Sequence, residues 1–207
     1  MKIVLINGSP KTKRSISGTL LGALSEHLPP EAERAQLHVI GAGGAEARAA
    51  IAGADVWVLA FPLYIDGLPS HLIRFLERAV VGEVVPKQGA VVYTLVNNGF
   101  YEPEQCKNAV AAVKLFCNKA GLFWGQAVCV GAGPMAGFMP LEKRPMAPVA
   151  SALGEFAVSI STVATGEDLY VRPNVARFLY VKSAHAGWKK AAEKAGFSLS
   201  DLRRLPG

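Results

Sequence analysis

The sequence predicts an open parallel β-sheet with helices packed on both faces. Three observations predict it. Short apolar, β-branched runs alternate five times with stretches of helical periodicity. The first, third and fifth of those runs are apolar throughout, as strands covered on both faces are. The most distinctive loops stand directly after strands one, three and four. Right-handed crossovers in the order 2-1-3-4-5 make those strands neighbours, so their loops converge at the carboxyl end of the sheet.

In chain order, Ile3-Val4-Leu5-Ile6 reads as a buried first strand. Leu20, Leu21, Leu24 and Leu28 then recur at helical spacing, and Pro29-Pro30 ends that helix. Residues 31–34 read as charged linker and Gln36 to Ile40 as the second strand. Ala45 to Ala52 is alanine-rich and helical. Val56 to Phe61 is the third strand, and Leu72, Phe75, Leu76, Ala79 and Val80 mark the helix after it. Gly89 to Val96 is the fourth strand. Residues 103–120 form a long helix with Cys106, Val110, Val113, Cys117 and Ala120 on one stripe, closed by Gly121. Both cysteines read as core filler. Ala127 to Val130 is the fifth strand. Residues 131–148, rich in Gly, Pro and Met, read as an irregular loop, either a lid over a site or a surface excursion. Helices return over 146–163 and from Asn174 to Ala195. On the last one Val181, Ala184, His185, Trp188 and Ala192 share a face, and His185 reads as a packing residue. The expectation is one domain over 1–207 with a helical extension from about residue 165.

Composition narrows the function classes. Apolar residues make up 51% and charged residues 18%, the balance of a globular chain with an ample core. The 22 Lys and Arg against 16 Asp and Glu give +6, but dispersed, which does not indicate nucleic-acid binding. A modest positive field favours small anionic ligands. Cys106, Cys117 and Cys129 lie far apart with no Cys-x-x-Cys, so no zinc or iron–sulfur site is expected. Three such cysteines suit a reducing cytosol. The apolar run after Lys2 breaks at Asn7, too short for a signal peptide, and no stretch has the length of a membrane span.

The first loop, Asn7-Gly8-Ser9-Pro10-Lys11-Thr12-Lys13-Arg14-Ser15-Ile16-Ser17-Gly18, carries hydroxyls and three cations but no carboxylate. A helix N-terminus behind such a turn can hold a phosphate. A solvated connection with capping serines fits the same residues. The loop is neither a Walker motif nor a Gly-x-Gly-x-x-Gly fingerprint, which argues against nucleotide hydrolysis and standard dinucleotide binding. Gly41-Ala42-Gly43-Gly44 also follows a strand, but it has no hydroxyl or cation and reads as a flexible connection. The third-strand loop, Pro62-Leu63-Tyr64-Ile65-Asp66-Gly67-Leu68-Pro69, brings apolar and aromatic side chains. The fourth, Asn97-Asn98-Gly99-Phe100-Tyr101, brings residues that tolerate left-handed backbone. A phosphate at one end and a planar ring at the other describe FMN.

These motifs resemble the flavodoxin-like superfamily of NAD(P)H-dependent FMN reductases and quinone reductases. The resemblance covers roughly residues 1–130 and, more weakly, a tail with Arg177-Phe178-Leu179-Tyr180 and His185-x-x-Trp188. It implies a flavodoxin-like three-layer α/β/α fold with a five-stranded parallel sheet, bound FMN, and NADH or NADPH as electron donor to a quinone, flavin or similar small-molecule acceptor. It further implies that Ser9, Lys11, Ser15, Ile16 and Ser17 hold the FMN phosphate. Pro62, Leu63, Tyr64 and Ile65 would border the isoalloxazine, and Asn97, Asn98, Gly99 and Tyr101 the ring or its ribityl chain. No catalytic acid is assigned. Relatives pair through helices flanking the flavin, so a homodimer or homotetramer is expected. A compact cysteine motif for an iron–sulfur cluster, found in some relatives, is absent from the sequence. Two other readings compete. A non-catalytic FMN-binding electron carrier of flavodoxin type is usually acidic, which the +6 balance opposes. A mononucleotide-binding fold without flavin is separated by the absorption spectrum.

Overall fold

A computed structural model describes residues 1–198, 200 and 201. The chain divides into two compact units, Met1–Asn174 and Val175–Gly207. The expected single domain over 1–207 runs on into residues 199 and 202–207, which lie outside the described residues.

In the first unit the chain alternates β1 (Lys2–Asn7), α1 (Ile16–His27), β2 (Glu33–His38), α2 (Ala45–Gly53), β3 (Val56–Pro62), α3 (Ser70–Val80), β4 (Val91–Asn97), α4 (Lys107–Ala120), β5 (Phe123–Val130), α5 (Ala147–Ser161) and β6 (Leu169–Val171). All strand pairs are parallel, in the order β2-β1-β3-β4-β5-β6. The five-stranded expectation is therefore corrected to six. The sixth strand is a three-residue Leu-Tyr-Val run, too short to show a period, paired with the last three residues of β5.

Two cores flank the sheet. On one face Val4, Ile6, Trp57, Leu59, Phe61, Val92 and Val96 pack against Ile51, Leu72, Phe75, Val110, Val113 and Phe116 of α2, α3 and α4. Cys106, Cys117 and Cys129 are free and buried there. On the other face α1 and α5 pack together against the sheet. There Tyr93 meets Phe156 edge to face at 5.7 Å and donates its hydroxyl to the carbonyls of Ser159 (2.9 Å) and Ala164 (2.7 Å). Burial pushes the Tyr93 phenol up to about 12.

Several boundaries differ from those the sequence predicts, three of them for identifiable reasons or by several residues. The supposed linker at 31–34 opens β2, because an edge strand tolerates charge and Glu33 pairs with Lys2 of β1 at 3.2 Å. The helix expected from residue 103 begins as a 3-10 turn over Pro103–Cys106, with proline in its first positions. The fifth strand starts four residues earlier than expected, at Phe123.

The second unit contains α6 (Arg177–Lys194). It buries no residue, so the packing role expected for His185 is corrected: its side chain is exposed, as is Trp188.

Candidate functional site

The carboxyl ends of β1, β3, β4 and β5 open onto one rim of the sheet, where ligands bind in open α/β folds. The first loop leaves β1 at Asn7, whose side chain organises the turn. Asn7 Oδ1 accepts from Ser9 N (3.0 Å), and Ser9 Oγ accepts from Lys11 N (3.2 Å). Such side-chain turns fold a loop that has no ladder of its own. Arg14 adopts a left-handed φ of 50°, turning the chain into Ser15. Ser15 is the N-cap of α1: its Oγ accepts from Gly18 N (3.0 Å) and from Asn7 Nδ2 (3.1 Å).

Two imidazoles grip this loop from outside. His71, in the first turn of α3, donates from Nε2 to the Gly8 carbonyl at 2.9 Å. His38, at the end of β2, accepts from Ile40 N at Nδ1 (3.1 Å). Its Nε2 therefore carries the proton and donates to the Lys11 carbonyl at 3.2 Å. Gly8 itself is hemmed in, since a Cβ there would stand 3.0 Å from Leu72 and 3.1 Å from Phe61. None of these roles was legible in the sequence, where neither histidine sits in a motif.

Ser9, Ser15 and Ser17 are buried. Each of their hydroxyl oxygens accepts a hydrogen bond from the chain, which leaves the O–H to donate. The first turn of α1 contains no acid. Lys11, Lys13 and Arg14 are exposed and form no ion pair among the described residues. An acid-free turn with open helix N–H groups, hydroxyl donors and three cations fits a phosphate monoester.

The third loop is a tight hairpin. Tyr64 and Gly67 exchange two backbone bonds of 3.0 Å, leaving Ile65 (φ 48°) and Asp66 (φ 57°) at the tip. Two positive φ values are what a type I′ turn demands, normally met by Asn-Gly. A β-branched residue there is strained. Ile65 is wholly exposed, Tyr64 is half exposed, and Leu63 is buried. Pro62 ends β3 opposite Asn97 of β4.

In the fourth loop Asn97 and Asn98 turn inward. Asn97 Nδ2 donates to Ser17 Oγ (2.9 Å) and to the Phe61 carbonyl (3.1 Å). Asn98 Nδ2 donates to the Glu102 carbonyl (3.2 Å) and to Cys106 Sγ (3.1 Å), while its buried Oδ1 has no partner among the described residues. Cys129 also bonds Cys106, and that bond is the main cause holding the Cys106 thiol below its usual range. Gly99 and Phe100 stay exposed, and Tyr101 is half-buried.

The 131–148 segment belongs to this rim. It starts as a 3-10 turn over Gly133–Gly137, with Ala132, Met135, Ala136 and Met146 buried. A Cβ on Gly133 would stand 3.0 Å from Asn97 Cβ, and one on Gly137 2.8 Å from Ile16 Cδ1. The segment expected as a lid or an excursion thus packs at its base onto loops one and four.

Among the described residues no cluster of His, Cys, Asp or Glu could hold a metal ion, and no helix is long and apolar enough to cross a membrane.

Comparisons bear on this rim. Curated proteins give no match. Solved structures do, at identities that establish the fold alone. An NADH:FMN oxidoreductase in its apo form superposes with a TM-score of 0.60 at 20% identity, over 80% of this chain and 91% of that one. A flavodoxin from Streptococcus pneumoniae TIGR4 gives 0.58 at 15%, over 79% and 100%. An FMN-dependent NADH-azoreductase from Bacillus anthracis, in complex with FMN, gives 0.55 at 16%, over 78% and 100%. The flavodoxin-like fold is therefore shared. At the level of sequence, residues 1–158 match the family described as NADPH-dependent FMN reductase, a span from β1 through most of α5 that takes in the loops after β1, β3, β4 and β5. On that match the chain belongs to the NADPH-dependent FMN reductase family.

Proposed function

We propose that the rim holds FMN and that the protein transfers a hydride from NADH or NADPH, through that flavin, to a small-molecule acceptor such as a quinone or a free flavin. The observation that carries this is the first loop. It is folded by Asn7 and capped by Ser15, is free of acids, and lies beside an exposed aromatic hairpin.

In this reading the N–H groups opening α1, with Ser9, Lys11, Ser15, Ile16 and Ser17, hold the phosphate. Buried Ser17 contributes from beneath, through its link to Asn97. Leu63, Tyr64 and Ile65 form an apolar wall beyond Pro62. Asn97 and Asn98 shape the fourth loop from inside, presenting Gly99 and Tyr101. When bound, FMN supplies the two-electron chemistry; the chain's part is to orient the ring and exclude water. The electron-carrier alternative remains opposed by the +6 charge.

The protein acts as a homodimer or homotetramer in the cytoplasm in this reading. Its three cysteines are free, as a reducing compartment allows. An open groove of about 340 Å³ between α3 and α4 supports pairing of copies. It is apolar except for Glu77 on one helix and Lys119 on the other. A two-fold axis would set each against its opposite.

The test is flavin binding. Purified protein should be yellow and bind FMN about 100-fold more tightly than riboflavin, since the phosphate contributes charge-assisted hydrogen bonds. It should then oxidise NADH or NADPH with a quinone or FMN as acceptor. Equal affinity for riboflavin and FMN, or none for either, overturns the reading.

A further inference from the structure

We propose that Arg172 binds a phosphate of the nicotinamide dinucleotide and thereby sets which dinucleotide the site prefers. The proposal rests on the flavin-reductase reading and deepens it.

The sheet register delivers Arg172 to the rim. Asn97 of β4 lies opposite Val130 of β5, and Val130 opposite Val171 of β6. The ladder continues one step further: Leu63 N donates to the Asn97 carbonyl (2.8 Å), Asn98 N to that of Val130 (3.0 Å), and Gly131 N to that of Val171 (2.9 Å). Leu63, Asn98, Gly131 and Arg172 therefore form one transverse row, the first residues past their strands. The short sixth strand has the effect of placing a cation at the end of that row.

The side chain is held for anion binding. The Arg172 guanidinium lies over the Tyr101 ring, 5.2 Å from its centroid. The ring's negative face attracts the guanidinium cation and holds it beside the fourth loop. Arg172 is exposed and makes no ion pair among the described residues. The backbone is fixed as well. Pro173 follows and restricts Arg172 to extended conformations, and Asn174 N is bonded to the Pro145 carbonyl at 2.7 Å. A guanidinium fork with no acidic partner among the described residues suits bidentate contact with a phosphate.

This is a second anion position. Four strand spacings separate β1 from β6, about 19 Å, so one phosphate cannot touch both the first loop and Arg172. FMN carries a single phosphate. The second substrate, a dinucleotide, carries phosphates on the 5′ side and, in NADPH, another on the 2′ oxygen. Either source presents the same chemistry to Arg172.

The test titrates FMN-loaded protein calorimetrically with adenosine 2′,5′-bisphosphate and with ADP, beside the Arg172→Gln and Arg172→Lys variants. Arg172→Gln should weaken binding about tenfold or more, and Arg172→Lys should recover part of the loss, because a point charge lacks the fork. A loss confined to adenosine 2′,5′-bisphosphate assigns the 2′-phosphate and a preference for NADPH. A loss with ADP as well assigns the 5′-side phosphates. Unchanged affinities in Arg172→Gln, or a parent protein that binds neither probe, overturn the proposal. The flavin spectrum separates the two levels: protein that never loads FMN sinks the underlying reading, whereas loaded protein indifferent to Arg172 sinks only this one.

Discussion

Asn97 Nδ2 donates to Ser17 Oγ across 2.9 Å, joining residues 80 positions apart at the centre of the rim. The same amide donates to the Phe61 carbonyl at 3.1 Å, so one side chain ties α1, β3 and β4 together. Both partners are buried. Asn97→Ala leaves two acceptors without their donor and should cost about 2–3 kcal/mol in urea unfolding. Ser17→Ala leaves the Phe61 bond intact and should cost about 1 kcal/mol. Under the proposed function both should also weaken FMN binding, and a double-mutant cycle should show coupling. Additive losses would mean that the bond does not join the two loops.

Much of this arrangement is legible in the sequence. Five strands, their order and the three converging loops are marked by apolar runs punctuated by Gly, Pro and Asn. What the sequence concealed has particular causes. β6 is three residues long, below any detectable period. β2 begins in charge because it lies at an edge. Asn97 and Asn98 signalled a ligand-facing loop, yet their side chains satisfy buried partners; polarity alone does not tell which way an amide points. His38 and His71 act on backbone carbonyls, an interaction with no sequence signature. The glycine- and proline-rich stretch after β5 reads as irregular, but Gly133 packs so closely on Asn97 and Asn98 that a Cβ would press on both at about 3.0 Å.

Ile65 makes a different prediction, because its backbone works against the fold. At φ 48° a β-branched residue costs about 1–2 kcal/mol relative to an unstrained conformation. Its side chain is wholly exposed, so nothing in the protein compensates. Ile65→Gly should therefore raise thermal stability, by about 1 kcal/mol after the entropy cost of glycine. In the proposed reading the same change should weaken FMN binding by removing an apolar contact with the ring. Higher stability with unchanged FMN affinity would remove Ile65 from the site.

Gly131 and Gly22 should respond in opposite ways to alanine. A Cβ on Gly131 would lie 2.4 Å from the Tyr101 carbonyl oxygen and 2.9 Å from Pro103 N, both backbone atoms that cannot swing aside. Gly131→Ala should cost about 3 kcal/mol or more through overpacking and displace the fourth loop. Gly22 is exposed within α1, with nothing within 4 Å of such a Cβ, so Gly22→Ala should stabilise by about 0.5–1 kcal/mol. Paired urea titrations check both signs.

The groove between α3 and α4 gives a charge-reversal test of the proposed pairing. Glu77→Lys or Lys119→Glu alone would set like charges against each other across a two-fold interface and should lower the apparent mass in light scattering. The double variant restores opposite charges and should restore the assembly. A parent protein that is monomeric at all concentrations, or a double variant no better than the singles, would remove this face as the interface.

Asp55 links stability to pH. Its carboxylate accepts from Lys87 Nζ at 2.5 Å and from Lys2 N at 2.7 Å, joining the start of β3 to the start of β1 and to the turn before β4. The hydrogen bond from Lys87, then that from the Lys2 backbone, holds the carboxyl below the usual aspartate range. A group whose folded value is depressed stabilises the fold above its unfolded value, near pH 4, and loses that contribution as pH falls through the folded value. The Asp55 side chain is 33% exposed and that of Lys87 52%, so solvent screens the pair, and the contribution is about 0.5–1 kcal/mol. Asp55→Asn should therefore be less stable than the parent by about that amount at pH 7. The gap should close as pH drops below the ordinary aspartate range, because protonation then does to the parent what the substitution did to the variant. Comparing the two proteins at each pH cancels the titration of every other carboxylate. A gap that stays constant into acid would show that Asp55 acts through shape rather than charge.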